Sequence, residues 1–330
     1  MKTAVVTGGA GFIGSHMVDL LLSEGFQVRV IDNLAGGRLE NLDHHRSNPN
    51  LQVEVRDICA VQTGDALFNK ADYVFHFAGI GDVVPSIERP VDYVTTNLMG
   101  TVRVLEAARN AQVRKLVYAA SSSCYGLAEQ VPTPETATLQ PQYPYALSKY
   151  LGEQALFHWG KVYKLPVNSI RIFNAYGIRS RTSGAYGAVF GVFLAQKLAG
   201  KPFTIVGDGT QTRDFLYGSD VARAFYLAAT TERVNEIYNV GAGAPQSVNR
   251  LVELLGGGEV LHLPQRPGEP DCTWADISKI RAELGWEPQV SLEEGVGRML
   301  KNIDYWREAP VWDEKSIEQA TRQWFKYLNS

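Results

Sequence analysis

The sequence is poor in three features that would assign it to particular classes of protein. It has only three cysteines, Cys59, Cys124 and Cys272, which lie far apart and form no Cys/His spacing suited to zinc. Its formal net charge is −3 with no basic block, so it lacks the usual signature of binding to nucleic acid or to a membrane surface. No apolar run is long enough for a signal peptide or a membrane span. We therefore expect a cytoplasmic protein with neither a disulfide framework nor a metal site.

Short β-branched runs alternate with helical patterns through the first half of the chain. The predicted strands cover residues 4–7, 28–32, 53–57, 73–79, 116–122 and 167–174. The predicted helices between them cover residues 14–24, 94–110 and 145–163. Apolar strands separated by helices are typical of a parallel sheet that is covered on both faces, so the sequence predicts an α/β fold.

The chain of 330 residues is longer than one hydrophobic core usually organises, so we expect two lobes. We predict a nucleotide-binding lobe over 1–170 and a smaller α/β substrate lobe over 171–330, with 212–236 returning to the first lobe. The tail predicts one more amphipathic helix, docked against the body or a partner subunit, on the apolar residues Ile317, Ala320, Trp324 and Leu328.

A glycine-rich stretch, "TGGAGFIGS", follows the first predicted strand and opens the first helix. Gly8, Gly11 and Gly14 permit a tight turn and let backbone N–H groups approach a pyrophosphate. Asp32 closes the second strand and, unless it only caps the next turn, can accept hydrogen bonds from a ribose 2′-hydroxyl; it would repel a 2′-phosphate. The pattern predicts dinucleotide binding and favours NAD over NADP. Asp57, which ends the third predicted strand, could meet the adenine amino group or cap a helix.

The stretch "YPYALSKY" places Tyr145 and Lys149 one helical turn apart, after a proline suited to the start of a helix. An ammonium group favours a neighbouring phenolate, so we expect Lys149 to lower the pKa of Tyr145 from its ordinary value of roughly 10. A phenol tuned in this way can take a proton from a substrate alcohol and later return it. The alternative is an ordinary exposed helix turn.

Six motifs, in their order along the chain, carry a resemblance to a known family: "TGGAGFIGS", "HFAG", "NLMGT", "SSSCYG", "YALSK" and "RIFNAYG". They resemble the extended short-chain dehydrogenase/reductase superfamily and, within it, the NAD-dependent nucleotide-sugar epimerases of the UDP-glucose 4-epimerase type. The resemblance covers residues 1 to about 300. It implies a Rossmann-type doubly wound parallel sheet, NAD as cofactor, a UDP-sugar as substrate, and a homodimer formed through the helices near 94–110 and 145–163.

The resemblance also implies roles for individual residues. Tyr145 would be the acid/base, Lys149 would bind the nicotinamide ribose and tune the tyrosine, and Ser121 would contact the sugar hydroxyl. The implied NAD pocket adds Phe12, Ile13, Asn33, Ile58, Phe77, Ala78, Gly79 and Asn97. The implied substrate side comprises Asn174 and the arginines Arg213 and Arg266 at the diphosphate, Glu269 at the nucleotide ribose, and Thr273 at the sugar.

The implied reaction is epimerisation at C4 through a transient 4-keto intermediate. The related 4,6-dehydratases carry an Asp–Glu pair, and the decarboxylases typically a Glu, where this chain has Ser122 and Ser123, which could also face the sugar. A serine hydroxyl is too weak an acid to replace a carboxyl group. The two serines therefore favour an epimerase over a dehydratase or a decarboxylase.

The choice of sugar stays open between UDP-glucose and UDP-N-acetylglucosamine, because the small side chain of Thr273 leaves room for an N-acetyl group. Arg179 and Arg181 could instead pair with a uronate carboxylate, so UDP-glucuronate is a further alternative. A non-enzymatic NAD-binding protein is disfavoured because Tyr145 and Lys149 are both present.

Overall fold

The computed structural model describes residues 1–180 and 189–328. Along these ranges the strands are β1 (Thr3–Thr7), β2 (Gln27–Asp32), β3 (Leu51–Val55), β4 (Tyr73–His76), β5 (Lys115–Ser121), β6 (Val167–Ile172), β7 (Asn174–Tyr176), β8 (Phe203–Val206), β9 (Thr212–Arg213), β10 (Phe215–Tyr217), β11 (Glu236–Val240), β12 (Gln246–Ser247) and β13 (Val260–Leu263). The α-helices are α1 (Phe12–Ser23), α2 (Pro90–Val94), α3 (Thr101–Asn110), α4 (Pro144–Tyr163), α5 (Val189–Leu198), α6 (Gly218–Thr230), α7 (Val248–Leu254), α8 (Ser278–Leu284), α9 (Leu292–Lys301) and α10 (Glu314–Leu328).

A seven-stranded parallel sheet in the order β11-β6-β5-β4-β1-β2-β3 forms the centre of the molecule. Helices α1 and α6 cover one face, and α3 and α4 cover the other. Every residue of β5 is buried, as expected for a central strand that is packed on both faces. The predicted α/β class with a doubly wound parallel sheet is confirmed.

The strand predicted over 167–174 is two strands, because the backbone changes partners at its end. Phe173 still donates its N–H to the carbonyl of Val240 in the main sheet, at 3.0 Å. The next residue, Asn174, donates instead to the carbonyl of Asp214, at 3.3 Å, and begins β7, which pairs with β10. The chain thereby leaves the main sheet and enters the region that follows it.

Other predicted boundaries are also wrong by a few residues. The fourth strand ends at His76 rather than at residue 79. The third strand ends at Val55 rather than Asp57. The helix predicted over 94–110 begins at Pro90. Proline is tolerated at this first position because the N–H that it lacks would have no acceptor within the helix. The helix then passes through a π-helical turn, Thr95–Gly100, into α3.

A second hydrophobic core lies beside the sheet and includes Phe193, Phe203, Trp306 and Trp324. It is enclosed by α5, α7, α9, α10 and two-stranded pairings such as β8 with β13. The predicted tail helix is α10, and it docks against the body of its own chain. The division into two lobes at about residue 170 stays a prediction. None of the helices in the described ranges is both long and apolar enough to cross a bilayer.

Candidate active site

A cleft of about 1140 Å³ opens at the carboxyl ends of the parallel strands, where the strand order reverses between β1 and β4. Most of the residues predicted to bind a cofactor or substrate form its wall. They are Gly8, Gly11, Phe12, Ile13, Gly14, Asp32, Asn33, Ile58, Phe77, Ala78, Gly79, Ser121, Ser122, Ser123, Tyr145, Lys149, Asn174, Arg213, Arg266, Glu269 and Thr273. Two other predicted site residues, Asp57 and Asn97, are not among the residues that form this wall.

Asp57 and Asn97 hold the backbone behind the wall. Asp57 caps a short 3-10 turn by accepting from the N–H of Cys59 at 2.7 Å, which is the capping role that the sequence left open. Its other oxygen accepts from the Asn33 amide at 2.8 Å. The buried Asn97 amide accepts from the N–H of Ile80 at 2.8 Å and so fixes the segment that follows β4. Both side chains therefore position residues that reach the cleft.

Two glycines, one after β1 and one in the first turn of α1, stand where a side chain does not fit. Gly8 has φ +71°, and a Cβ placed there would lie 2.7 Å from the backbone nitrogen of Ala78. A Cβ on Gly14 would overlap the carbonyl oxygen of Gly8. Gly11 is the N-cap of α1, which therefore begins at the cleft wall. A helix N-terminus beside glycines, where no side chain blocks the backbone N–H groups, is suited to bind a pyrophosphate.

Asp32 is buried at the end of β2 and accepts from the N–H groups of Ala10, at 3.0 Å, and Leu34, at 2.8 Å. It thus caps the following turn while still lining the cleft. Burial raises its pKa. Each carboxylate oxygen has a second lone pair that can accept a ribose hydroxyl. The nearby Arg56 is engaged by Asp65 through two hydrogen bonds of 2.6 and 3.0 Å, which disfavours a role for it in holding a 2′-phosphate.

Tyr145 and Lys149 lie one turn apart at the start of α4 and both reach the cleft. Burial raises the pKa of Tyr145, and a hydrogen bond with Ser121 opposes this rise. Burial also lowers the pKa of Lys149 to about 7, against the attraction of the Glu153 carboxylate. The expectation that Lys149 lowers the Tyr145 pKa is therefore wrong. A lysine with a pKa near 7 is only partly charged at neutral pH, so it offsets little of the cost of burying a phenolate.

The serine-rich stretch forms the cleft wall next to Tyr145. Ser121 ends β5, and its hydroxyl accepts from the N–H of Ser123 at 3.2 Å, which caps the 3-10 turn Ser122–Tyr125. The same hydroxyl donates to the Ser123 hydroxyl at 3.1 Å. On its far side Ser123 makes a hydrogen bond with Tyr143, which the sequence reasoning missed. This part of the wall is therefore a set of neutral, mutually bonded hydroxyls.

Another part of the cleft wall carries cationic side chains. Arg266 lies close enough to Arg213 for its charge to act on that side chain, and Arg266 pairs with Glu269 at 3.1 Å. Burial lowers the pKa of Arg213, the Glu269 carboxylate opposes this decrease, and the nearby Arg266 adds to it. Thr273 donates its hydroxyl to the Asn174 amide oxygen at 2.6 Å, which ties these two predicted residues together. Two crowded guanidiniums favour a multiply charged anion such as a diphosphate.

Arg179 does not point its charge into the cleft. It donates to Nδ1 of His16 at 2.9 Å and forms an ion pair with Asp19. Arg181, the other arginine considered for a uronate, lies outside the described residues. Of the two arginines considered as partners of a uronate carboxylate, Arg179 is therefore already paired with another residue of the chain.

A buried ion pair links β6 to α4 and is hydrogen-bonded to the serine turn. Arg171 and Glu153 are almost fully buried and meet at 2.6 Å. Arg171 also donates to the Tyr125 hydroxyl at 2.9 Å, and Ser169 donates to Glu153 at 2.7 Å. The sequence reasoning missed this pair, although Glu153 follows Lys149 by four residues and so shares its face of the helix.

Comparison with protein families gives a match over residues 5–299 to the family described as GDP-mannose 4,6 dehydratase. The chain is similar to the UDP-glucose 4-epimerase of Mycolicibacterium smegmatis, with 37% identity over 314 residues. That alignment covers 93% of this chain and 99% of the relative.

Two solved structures are also similar. The UDP-N-acetylglucosamine 4-epimerase of Methanobrevibacter ruminantium, in complex with UDP-N-acetylmuramic acid, is 32% identical with a TM-score of 0.85. That match covers 91% of this chain and 99% of the other. The UDP-glucuronic acid 4-epimerase of Bacillus cereus, in complex with UDP-glucuronic acid and NAD, is 33% identical with a TM-score of 0.85, and the match covers 92% of this chain and 99% of the other.

Proposed function

The chain belongs to the family described as GDP-mannose 4,6 dehydratase, within the extended short-chain dehydrogenase/reductase superfamily, and on that premise we propose that it is an NAD-dependent UDP-sugar 4-epimerase. The reaction inverts C4 of the sugar through a transient 4-keto intermediate. The observation that carries the proposal is the pairing of Tyr145 with Ser121 beside hydroxyls, not carboxyls, at Ser122 and Ser123. Such a wall can exchange a proton with an alcohol, but these two positions offer no acid for eliminating water.

NAD fits the part of the cleft formed by the glycine loop and Asp32. The N-terminus of α1, at Gly11, is suited to its pyrophosphate, and the Asp32 carboxylate is suited to its adenosine ribose. When bound, NAD supplies the hydride acceptor and donor that oxidation and re-reduction at C4 require.

The charge of Asp32 provides a test of this assignment. Asp32→Asn keeps one side-chain acceptor but loses the charge, so we expect NAD affinity to fall about 5- to 20-fold. The preference for NAD over NADP should narrow as well, because the repulsion of a 2′-phosphate is gone. Fluorescence titration with NADH and NADPH measures both effects. Asp43→Asn, at an exposed neighbouring position, is the control; equal losses for both cofactors would contradict the assignment.

The chain's own residues divide the remaining work. To remove the proton of the C4 hydroxyl, Tyr145 has to be a phenolate, a form that burial disfavours and that the positive charge of oxidised NAD bound nearby would favour. Tyr145 later returns the proton, with Ser121 as its hydrogen-bond partner. Arg213 and Arg266 hold the diphosphate, and their mutual repulsion is relieved when it binds. Because the substrate is held mainly through its diphosphate, the 4-keto sugar can rotate in the cleft and expose its opposite face to re-reduction.

Neutral sugars fit this proposal better than a uronate. Arg179 is held by Asp19 and His16, so it is not available to pair with a uronate carboxylate. Thr273, bonded to Asn174, presents only a small side chain toward the cleft and leaves space for an N-acetyl group. The described residues therefore favour UDP-glucose and UDP-N-acetylglucosamine as substrates.

Proton NMR of the purified protein incubated with single UDP-sugars tests the function. We expect UDP-glucose or UDP-N-acetylglucosamine to reach equilibrium with its C4 epimer, with UDP-glucuronate turned over more slowly or not at all. A 4-keto-6-deoxy product, release of a UDP-pentose, or no turnover of any of the three sugars would refute the proposal.

We also propose that the protein is a cytoplasmic homodimer. The adjacent helices α3 and α4, with the π-helical turn before α3, expose the large apolar side chains Met99, Leu147 and Val162, which suit a helix-to-helix interface. All three cysteines are free, in accord with a reducing compartment.

A further inference from the structure

The C-terminal extension, residues 302–328, lies beyond the part of the chain that the family model matches. The family match ends at residue 299. The two similar structures are covered over 99% of their own length while covering only 91% and 92% of this chain. The described part of the extension consists of the 3-10 turn Ile303–Trp306, the connection after it and α10.

We propose that the C-terminal extension is a strap that positions the substrate loop, residues 265–272, and that Trp324 is its positioning residue. The proposal rests on the proposed function, because the substrate loop carries two of the residues assigned to the UDP group. The nearest direct contact is a hydrogen bond from Nε1 of Trp324 to the carbonyl of Pro267, at 2.9 Å. Pro267 lies directly after Arg266 and two residues before Glu269.

The same tryptophan packs, from outside the cleft, against a residue of the wall near Tyr145. Its ring centroid is 5.0 Å from that of Tyr143, and Tyr143 is the N-cap of α4, two residues before Tyr145. The Tyr143 hydroxyl bonds Ser123 of the serine turn. One buried side chain of the extension therefore touches the substrate loop and the segment that presents the acid/base.

The extension also forms part of the cleft wall. Ala309, Pro310 and Trp312 line it, and α10 packs against the turn Val84–Ile87, part of which lines it too. A cleft whose wall is fixed before binding loses less conformational entropy when the ligand arrives. The strap therefore contributes to affinity for the nucleotide group although Trp324 does not touch the cleft.

Trp324→Phe tests this role because it keeps a buried ring and removes the donor to Pro267. We expect the Kd for UDP, measured by calorimetry, and the KM for the UDP-sugar to rise together about 3- to 10-fold. We expect kcat to stay within about twofold and the Kd for NAD to stay unchanged, since the interaction acts equally on bound substrate and transition state.

Trp306→Phe is the matched control. Trp306 is a fully buried tryptophan of the same extension, and its Nε1 has no hydrogen-bond acceptor among the described residues. Its replacement should leave the UDP Kd at the wild-type value. Trp324→Ala also removes the ring against Tyr143, so kcat should fall as well.

An unchanged UDP Kd in Trp324→Phe, or an equal rise in Trp306→Phe, would overturn the proposal. The two proposals fail separately. If the wild-type protein binds UDP but turns over no UDP-sugar, the epimerase proposal is refuted. The ratio of the UDP Kd values of Trp324→Phe and the wild type still tests the role of the strap in that case.

Discussion

Turnover falls by about 10²- to 10⁴-fold when Tyr145 is replaced by phenylalanine, the range expected for loss of a positioned acid/base. The phenyl ring keeps the edge-to-face contact with Tyr93, whose centroid lies 6.4 Å away, so the cleft should keep its shape. Single-turnover measurement of C4 epimer formation gives the rate, and calorimetry gives the affinities for NAD and UDP. Both affinities should stay close to those of the wild type, because neither the glycine loop nor the arginine side of the cleft is altered.

Tyr163→Phe is a suitable control for this replacement. Tyr163 lies at the exposed end of the same helix and loses the same hydroxyl, so its turnover should not change. Retained activity in Tyr145→Phe would exclude the phenol as the acid/base. Loss of activity together with loss of NAD binding would show that the replacement damaged the cofactor site instead.

Glu153→Gln should lower the free energy of unfolding by about 3–5 kcal/mol. The amide fills the same space and can still accept from Ser169, but it leaves the Arg171 guanidinium buried without its counter-charge. Hydrogen bonds from Arg171 to neutral oxygens, including the Tyr125 hydroxyl, compensate for only part of that loss. Urea unfolding followed by fluorescence measures the change. The m-value, the dependence of the unfolding free energy on urea concentration, should be the same for the variant and the wild type.

An exposed pair provides the comparison for this prediction. Glu294→Gln breaks the contact with Arg298 on the surface of α9, which should cost about 0.2–1 kcal/mol. The double replacement Glu153→Gln with Arg171→Met should be more stable than Glu153→Gln alone, because it removes the uncompensated charge. A Glu153→Gln effect no larger than that of Glu294→Gln would show that the buried charge is solvated in some other way.

Local patterns of the sequence predict the fold class and most of the cleft wall. The glycine loop and the Tyr145–Lys149 spacing each lie within a few residues, and their geometry follows from one turn or one helix. Asp32 is predictable for the same reason, since the carboxyl end of a parallel strand lies at the mouth of such a cleft.

Features that depend on packing between distant segments were not predictable. The contact of Trp324 with Pro267 joins residues 57 apart, and Arg179 reaches Asp19 across 160 positions. Neither pair leaves a spacing signal in the chain. The direction of the Tyr145 pKa shift failed for a related reason: spacing brings a lysine near, but burial depends on everything packed around both groups.

The late position of β11 in the chain has a consequence for synthesis on the ribosome. β11 completes one edge of the main sheet by pairing with β6, and the Glu236 N–H bonds the side chain of Asn168, 68 residues earlier. At a translation rate of roughly 5–20 residues per second, β6 emerges ~3–14 s before its outer neighbour. During that interval the nascent chain presents a strand with an open edge, the kind of surface that pairs with other chains. Nascent chains that stall between α6 and β11 are therefore exposed to aggregation and to capture by chaperones through this edge.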